Sequence, residues 1–419
     1  MDAPIAWRHG QPISRRRFLA DVSAAAEGLP DRSFALNLCS DRYAFLVAFA
    51  AVAVRGQTNL LPTSRVEKVI DETRAAYPDS YCVKDGHIEA LVNAPDHASA
   101  FELTVAADLA VVVAFTSGST GRSEPHLKRW GELVAGGLLA ERRFGTFVTP
   151  RSSIVATVPP QHMYGLETTI MLPLVTGCAM DAGRPFFAGD IADALAHLPS
   201  PRLLVTTPAH LRVAVESGVG WPEVTLVLSA TAPLSPRLAA AAEKVFAAPV
   251  MEIYGCTEAG SIASRRTTED DLWTLYDGMV IKDGLLLASH LPEPVPIADV
   301  VEVRSENRFA LLGRRQDMVN VAGKRASLAY LNAVLADVEG VADGAFVAAE
   351  DPADGSARLM ALVVAPGLDR TAVMAALARR IDPLFLPRPL VLVDRLPRNE
   401  TGKLTREDVV AMIRTAGIA

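Results

Sequence analysis

Val111-Val112-Val113-Ala114-Phe115-Thr116-Ser117-Gly118-Ser119-Thr120-Gly121 divides into two halves with different physics. The first five residues are an apolar, largely β-branched run of strand length. Such a run suits a strand buried on both faces of a sheet. The next six carry no side chain larger than threonine, and the two glycines permit backbone angles that other residues resist. A loop of this kind can turn successive N–H groups inward as a nest for an anion. Its hydroxyls add donors, so phosphate oxygens are the natural guest. A plain Ser/Gly loop after a strand is the alternative at this point. A Walker loop is excluded, because no Gly-Lys-Ser/Thr follows at the required spacing.

Outward from this stretch, helical and strand patterns alternate. Residues 14–28 read as a helix, 33–38 as a strand, 43–54 as a helix, 59–61 as a short strand and 65–76 as a helix. After the strand over 108–115 come a helix over 130–143 and strands over 154–158, 203–206, 224–228 and 250–254. This alternation predicts an α/β sheet with helices on its faces. Beyond Trp273 the character changes. Strands are expected over 300–303, 309–312, 318–321, 345–348, 360–364 and 390–393, with helices from Ser327, Thr371 and Thr405. The last part reads as an α+β unit of about 100 residues, a second domain.

The chain has 419 residues, too many for one compact core, so two or three domains are expected. Half of its residues are hydrophobic and 21% are charged, which is ordinary for a globular protein. A net charge of -7 provides no overall basic field for nucleic acid. From Arg315 onward there are 13 basic and 13 acidic side chains, so the whole deficit lies before it. That is compatible with a domain change nearby.

Cys39, Cys82, Cys178 and Cys256 are widely spaced and form no CxxC or zinc pattern, so a reducing compartment is expected. Ser14-Arg15-Arg16-Arg17-Phe18-Leu19 is similar to a twin-arginine export signal. The apolar run such a signal needs is broken by Asp21 and Glu27, and a helix capped by Ser14 is the preferred reading. The apolar stretch 45–54 is too short to span a bilayer.

Four further stretches can carry chemistry. Tyr254-Gly255-Cys256-Thr257-Glu258 follows an expected strand, at the carboxyl end where open α/β sheets bind ligands. A hydroxyl beside a carboxylate suits a phosphate with its Mg²⁺; an ordinary turn with a surface glutamate is the alternative. Ser229-Ala230-Thr231-Ala232-Pro233 is built of small residues that let a flat group such as adenine approach, or else leads into a helix. Gly313-Arg314-Arg315-Gln316-Asp317 offers consecutive guanidiniums for phosphate or ribose, or is a charged linker. Pro397-Arg398-Asn399-Glu400-Thr401-Gly402-Lys403 is a polar glycine loop ending in a lysine, solvated or functional.

Together and in this order, these stretches resemble the adenylate-forming superfamily of acyl- and aryl-CoA ligases, luciferase-like enzymes and peptide-synthetase adenylation domains. Residues 116–121 look like its phosphate loop, and Gln161-His162-Met163-Tyr164-Gly165 like its acyl-site gate. Ser229, Ala230, Thr231 and Ala232 resemble its adenine strip, and residues 254–258 its YGxTE motif. Asp299 falls at its ribose aspartate, residues 313–317 at its hinge, and Gly402-Lys403 at its carboxy-terminal catalytic lysine. The resemblance covers nearly the whole chain.

It implies an α/β fold: a large N-terminal ATP- and acyl-binding domain with mixed sheets, over 1–314, and a small α+β C-terminal mobile lid, over 315–419. It also implies a two-step reaction. A carboxylate attacks the α-phosphate of ATP, giving an acyl-adenylate and pyrophosphate; the lid then turns and a thiol takes the acyl group. Glu258 would hold Mg²⁺, Thr257 would donate to the α-phosphate, and Lys403 would bridge the carboxylate and the nucleotide. Thr116, Ser117, Gly118, Ser119, Thr120, Gly121, Tyr254 and Gly255 would belong to the ATP site. Asp299 would accept the ribose hydroxyls, Arg314 would reach ribose or phosphate, and Arg325 would meet phosphate after rotation about Gln316. His162, Met163, Tyr164, Gly165, Ile253 and Cys256 would line the acyl pocket, with His162 at its gate.

Two departures stand out. The family loop usually continues with Pro-Lys, whereas Ser123 and Glu124 stand here, leaving Lys128 as a possible substitute. The hinge residue is usually aspartate or lysine, and here it is Gln316. A shorter N-terminal domain, the run Ser123-Glu124-Pro125-His126 and the string Asn37-Leu38-Cys39-Ser40-Asp41-Arg42-Tyr43 look like the compact ligases of aryl-polyene and xanthomonadin-type pigment pathways. That subgroup implies a cytoplasmic enzyme loading a hydroxybenzoate-like acid onto the phosphopantetheine of an acyl carrier protein. Coenzyme A is the alternative thiol, and Arg265-Arg266 or Arg379-Arg380 could serve either acceptor. A nucleotide-binding protein without turnover is the alternative of another class.

Overall fold

The computed structural model describes residues 3–92, 103–117, 123–314, 318–321, 324–350, 357–396 and 412. The chain opens with a hairpin, β1 (Pro4–Arg8) and β2 (Gln11–Ser14), which the sequence reading does not anticipate. Helix α1 (Arg15–Gly28) follows, its first turn capped by the Ser14 hydroxyl, which accepts from the Arg17 amide. Next come β3 (Phe34–Asn37), α2 (Arg42–Val54), β4 (Thr58–Leu61), α3 (Glu67–Ala76), β5 (Ser80–Val83), α4 (Asp85–Val92), β6 (Ala110–Ser117) and β7 (Ser123–Arg129). Every residue of α2 except Ala50 and Val54 is buried, so its all-round apolar sequence marks a helix enclosed by other layers.

A five-stranded sheet runs β5-β3-β4-β6-β7. Its first four strands are parallel and β7 turns back antiparallel to β6. Val111 to Val113 are buried on both faces, as the β-branched run requires. The stretch after the glycine loop is therefore a strand, although Glu124, Pro125, His126 and Lys128 give it no apolar alternation. Proline is tolerated there because β7 is an edge strand.

Helix α5 (Trp130–Phe144) leads to β8 (Ser153–Ala156). The gate segment then winds through α6 (Met163–Leu166), a π-turn (Glu167–Met171) and α7 (Leu172–Thr176). Strands β9 (Ala179–Asp181), β10 (Arg202–Thr206), β11 (Leu226–Ser229) and β12 (Val250–Cys256) alternate with helices α8 (Ala188–Ala196), α9 (Pro208–Glu216) and α10 (Pro236–Phe246). Antiparallel strands β13 (Gly260–Arg265) and β14 (Trp273–Leu275) follow, then a small sheet of β15 (Val280–Lys282), β16 (Leu285–Leu287) and β17 (Val295–Pro296). Strands β18 (Asp299–Ser305) and β19 (Arg308–Arg314) complete an eleven-stranded sheet ordered β18-β19-β14-β13-β12-β11-β10-β8-β9-β1-β2. Its middle, from β1 to β12, is parallel, so β8, β10, β11 and β12 present their carboxyl ends along one edge.

The main core lies between the two large sheets, joining Ala35, Phe45, Phe49, Val111, Ile170, Leu203 and Ile253 in one apolar cluster. A second cluster fills the opposite face of the eleven-stranded sheet under α8, α9 and α10. The remaining described elements are a hairpin of β20 (Met318–Val321) and β21 (Lys324–Ser327), α11 (Leu328–Ala336), β22 (Asp343–Glu350), β23 (Ala357–Val364), α12 (Arg370–Ala378) and β24 (Leu390–Leu392). They pack their own core around Leu331, Leu335, Phe346, Val363, Val373 and Leu377. The expected last helix from Thr405 lies outside the described residues. Among the described residues no helix is long and apolar enough to cross a membrane.

Candidate active site

The strand ends bring the expected motifs to one edge. Thr116, near the end of β6, shares a hydrogen bond between its Oγ1 and His126 Nε2 on β7, 3.1 Å apart. The same Nε2 lies 3.8 Å from Glu258 Oε1, in the turn after β12. The phosphate-loop hairpin and the turn carrying Thr257 and Glu258 therefore meet, although they belong to different sheets. Gly118, Ser119, Thr120 and Gly121, and the side chain of Ser117, lie outside the described residues.

Lys128 does not stand at the loop. It is 4% exposed, and its Nζ donates to the Glu258 carbonyl and lies 3.9 Å from Glu132. It braces the turn from behind.

Tight geometry holds that turn. A Cβ on Gly255 would come within 2.3 Å of the Gly260 carbonyl oxygen. Gly260 has φ 76°, and a Cβ there would meet Glu167 Oε1 at 2.2 Å. Both positions need glycine. Glu167 accepts from the Ser261 amide at 3.1 Å and from its hydroxyl at 2.6 Å. Burial nevertheless raises the Glu167 carboxyl above its ordinary range. Burial, followed by the charge of Glu258, pushes the Cys256 thiol up to about 12, so it is inert as a nucleophile.

Asp299, the first residue of β18, accepts from the Tyr254 hydroxyl at 2.6 Å. The Tyr254 ring packs against Trp273 and Phe309, with centroids 5.5 and 5.8 Å away. The three strands β13, β14 and β19 that separate β12 from β18 are thus spanned by a side-chain hydrogen bond, which ties Asp299 to the strand that carries Tyr254.

Ser229 ends β11, and Ala230 is buried beneath the surface turn of Thr231 and Ala232. Thr231 has φ 79°, a conformation that a β-branched residue adopts only under constraint. Three residues on, the same segment is anchored by Glu252, which sequence reasoning missed. It is 3% exposed; one carboxylate oxygen accepts from the Leu234 amide at 2.8 Å and the other from Arg265 Nε at 2.8 Å.

The gate segment has its own scaffold. Arg42 is buried in α2 and donates to the carbonyls of Ala156 at 3.0 Å and Val158 at 3.1 Å. Burial lowers its pKa to about 10. Arg65 donates to the carbonyl of Cys39 and lies 3.4 Å from Gln161 Oε1. His162 stands at the N-cap of α6. A Cβ on Gly165 would fall 2.1 Å from the Pro159 carbonyl oxygen, so the segment closes on itself only with glycine there. Met163, Tyr164 and Cys256 pack against the main core, to which Ile253 belongs. Burial raises the Tyr164 hydroxyl well above its ordinary range.

Other expected residues separate from this edge. Arg265 and Arg266 lie at the far end of the β12–β13 pair, beside a cavity of about 520 Å³. There Arg265 is paired with Glu252 at 2.8 Å and Arg266 with Glu243 at 2.7 Å. Both guanidiniums are thus paired within the fold, Arg266 remaining about a third exposed. Arg379 and Arg380 follow α12 and are exposed. Gln316, Gly402 and Lys403 lie outside the described residues, as do the side chains of Arg314 and Arg325.

The donor set can be tested against a metal. Among the described residues no three His, Cys, Asp or Glu side chains cluster as a metal cage. Glu258, half exposed, is one carboxylate beside the hairpin that carries the Thr116 hydroxyl. That suits Mg²⁺, which keeps its waters and takes one or two carboxylates together with substrate phosphates.

Comparison with known proteins adds the family. The AMP-binding enzyme model matches residues 28–283, and the AMP-binding enzyme C-terminal domain model matches residues 331–403. The chain is 28% identical over 243 residues to a 4-coumarate–CoA ligase of Rhodobacter capsulatus, covering 58% of this chain and 62% of that protein. It is 26% identical over 300 residues to a 4-coumarate–CoA ligase of Halorhodospira halophila, covering 69% and 73%. ATP-bound MatB from Rhodopseudomonas palustris shares the fold with a TM-score of 0.83 at 18% identity, over 99% of this chain and 97% of that one. The anthranilate CoA ligase AuaEII, in complex with anthranoyl-AMP, gives 0.82 at 13% identity, over 99% and 95%. The fold is the α/β adenylate-forming fold, with a large N-terminal and a small C-terminal domain, and the chain belongs to the AMP-binding enzyme family of adenylate-forming acid–thiol ligases.

Proposed function

We propose that the chain is an ATP-dependent ligase that adenylates an aryl carboxylic acid of hydroxybenzoate type. It then passes the acyl group to the phosphopantetheine thiol of an acyl carrier protein in the cytoplasm. The observation that carries the adenylation reading is the meeting of Thr116, His126 and Glu258 at the end of β12, with Asp299 held nearby by Tyr254. The aryl reading draws support from the apolar setting of Met163, Tyr164, Ile253 and Cys256, since planar acids suit narrow, mostly apolar slots. It also draws on relatives named for aryl acids, among them a salicylyl-CoA synthase of a Streptomyces species, 25% identical over 234 residues.

In this reading Asp299 accepts the ribose hydroxyls and Ser229, Ala230, Thr231 and Ala232 flank adenine. Residues 116–121, with Tyr254 and Gly255, shape the rest of the nucleotide site. Thr257 donates to the α-phosphate as the acid attacks, while His162 and Gly165 bound the acyl slot. Glu258 would hold Mg²⁺, whose charge offsets that of the phosphates. Lys403 is assigned the bridge between carboxylate and nucleotide. The domain boundary is placed at 314/315, so that Arg314 stays with the nucleotide while Arg325 moves with the lid about Gln316. Water kept out by lid closure spares the adenylate from hydrolysis.

Coenzyme A is the second reading for the thiol, suggested by the names of the ligases that the chain matches in sequence. Pyrophosphate release is the test, with ATP, Mg²⁺ and a panel of benzoates, cinnamates and fatty acids. Release with hydroxybenzoates alone supports the aryl reading, and release with fatty acids alone removes it. The loaded acid is then offered to a phosphopantetheinylated carrier and to coenzyme A. Acylation of the carrier at the higher kcat/KM supports the main reading, and the reverse order supports the second. ATP binding without release on any acid would favour a non-catalytic nucleotide binder.

A further inference from the structure

Strand β7 places Glu124, His126 and Lys128 at alternate positions, opposite Thr116, Ala114 and Val112 of β6. Alternation puts the three on one face of the hairpin. Two of them reach the same residue of another sheet. Lys128 Nζ donates to the Glu258 main-chain carbonyl, and His126 Nε2 lies 3.8 Å from the Glu258 carboxylate. His126 Nε2 is also hydrogen-bonded across the hairpin to Thr116 Oγ1, at 3.1 Å.

We propose that His126 is a positioning residue of the phosphate site, fixing the Glu258 carboxylate and the Thr116 hydroxyl relative to each other. The position two residues before it carries Glu124, so no cation stands there to draw hairpin and phosphates together. The Glu258 side chain is 46% exposed and has three rotatable bonds. Left loose, it loses rotamer freedom each time a ligand binds, which weakens binding. The imidazole sets that orientation beforehand from the side, while Lys128 fixes the main chain from behind. His126 is less exposed, at 18%, so its ring is held by packing and serves as the rigid member. The histidine thus supplies by geometry part of what a lysine on the loop would supply by charge. This inference rests on the role proposed for Glu258, and the experiment separates the two.

The full-length chain is prepared as His126→Leu, His126→Gln, Glu258→Gln and the double variant H126L/E258Q. Calorimetry measures binding of ATP with Mg²⁺ and with a chelator, and pyrophosphate exchange separates kcat from KM. H126L is expected to bind MgATP about fivefold more weakly, the scale of one net hydrogen bond, since Nε2 bonds the Thr116 hydroxyl and stands 3.8 Å from the Glu258 carboxylate. Metal-free ATP is expected to change by less than about twofold, because only the metal complex uses the fixed carboxylate. The nucleotide-free melting temperature should stay within about 2 °C, as befits a partly exposed contact. H126Q, which keeps an N–H at similar reach, should recover most of the affinity. The double variant should bind no more weakly than E258Q, because one effect acts through the other. Wild-type MgATP binding in H126L beside a weakened E258Q would overturn the role of His126 alone. An unaffected E258Q would remove both that role and the one proposed for Glu258. Equal loss with and without metal, unrescued by Gln, would show that His126 serves only the hairpin.

Discussion

Tyr254→Phe removes one oxygen and leaves the rest of the nucleotide edge in place. The ring keeps its packing against Trp273 and Phe309, so no cavity opens. What is lost is the 2.6 Å bond to Asp299, a charge-assisted contact in a half-buried setting. Hydrogen bonds to charged groups contribute roughly 1.5–3 kcal/mol. Partial exposure lets water replace some of that, so about 1.5 kcal/mol of stability should go, a fall in melting temperature of about 2 °C for a unit of this size. The functional effect is separate. Asp299 must be ordered afresh for each nucleotide, at a cost of about 1 kcal/mol, so ATP affinity should fall about fivefold. Pyrophosphate exchange would show this as a raised KM for ATP with kcat for the acid nearly unchanged, because the contact is equal in ground and transition states. Asp299→Ala should be worse, and Y254F on that background should add little. An ATP KM within twofold of wild type in Y254F, with the melting temperature lowered as expected, would refute the claim that the bond presets the ribose carboxylate.

Three other substitutions probe the scaffold. Burial raises the Glu167 carboxyl, so its contribution to stability is fully present below the ordinary pKa near 4.5 and fades as pH rises through the raised folded value. Glu167→Gln should therefore gain stability relative to wild type as pH rises from 4.5 to 7.5, read as the shift in urea midpoint; a difference that shrinks would mean that Ser261 and Lys128 outweigh burial. Gly165→Ala must push the gate off the Pro159 carbonyl, 2.1 Å away, and should lower kcat/KM for the acid by at least about tenfold while ATP binding holds, since overpacking costs about 1–3 kcal/mol. Gly313 has φ 116° and a Cβ there would lie 2.3 Å from the Ser327 Cβ. Gly313→Ala should thus disfavour this docking of the C-terminal unit by about 1–3 kcal/mol, visible as faster proteolysis between the two units, and unchanged cleavage would argue against it.

Sequence alone reached the strands that end in motifs, because burial on both faces imposes a local composition. The apolar runs behind β6, β11 and β12 needed no partner to be recognised. Strand β7 escaped because an edge strand is defined by its neighbour: Glu124, Pro125 and Lys128 are strand residues only because β6 pairs with them. The β1–β2 hairpin escaped for the same reason. Glu167, Glu252 and Arg42, with the burial of Lys128, form a second group of misses. Each is polar and buried or nearly so, and each is tolerable only through partners between 13 and 130 residues away. Apart from Glu252 and Arg265, thirteen residues apart, no short window of sequence contains both halves of such a pair. Lys128 shows the consequence most clearly. By position it could replace the absent loop lysine, but its burial against the Glu258 carbonyl commits it to the scaffold.

That commitment redistributes charge at the nucleotide edge. A lysine at 124 would face the phosphates directly, at the mouth of the hairpin, where water and salt screen it. With Glu124 there instead, the mouth carries a negative charge, and Lys128 lies several residues deeper on the same face, behind the carbonyl of Glu258. From that depth it acts through a low-dielectric interior and lowers the cost of placing three carboxylates close together, at Glu132, Glu167 and Glu258. Its removal should therefore be felt first in the turn and only secondarily by ATP. Lys128→Met, similar in volume, removes the buried cation and leaves Glu132 with the more exposed Arg129, 4.0 Å away. Breaking a buried pair in this way costs about 3–5 kcal/mol, and the 3.9 Å separation from Glu132 puts the expectation at the lower end. If the lysine served the phosphates instead, K128M would keep its melting temperature and lose ATP affinity, so the order in which stability and affinity fail distinguishes a brace from a ligand.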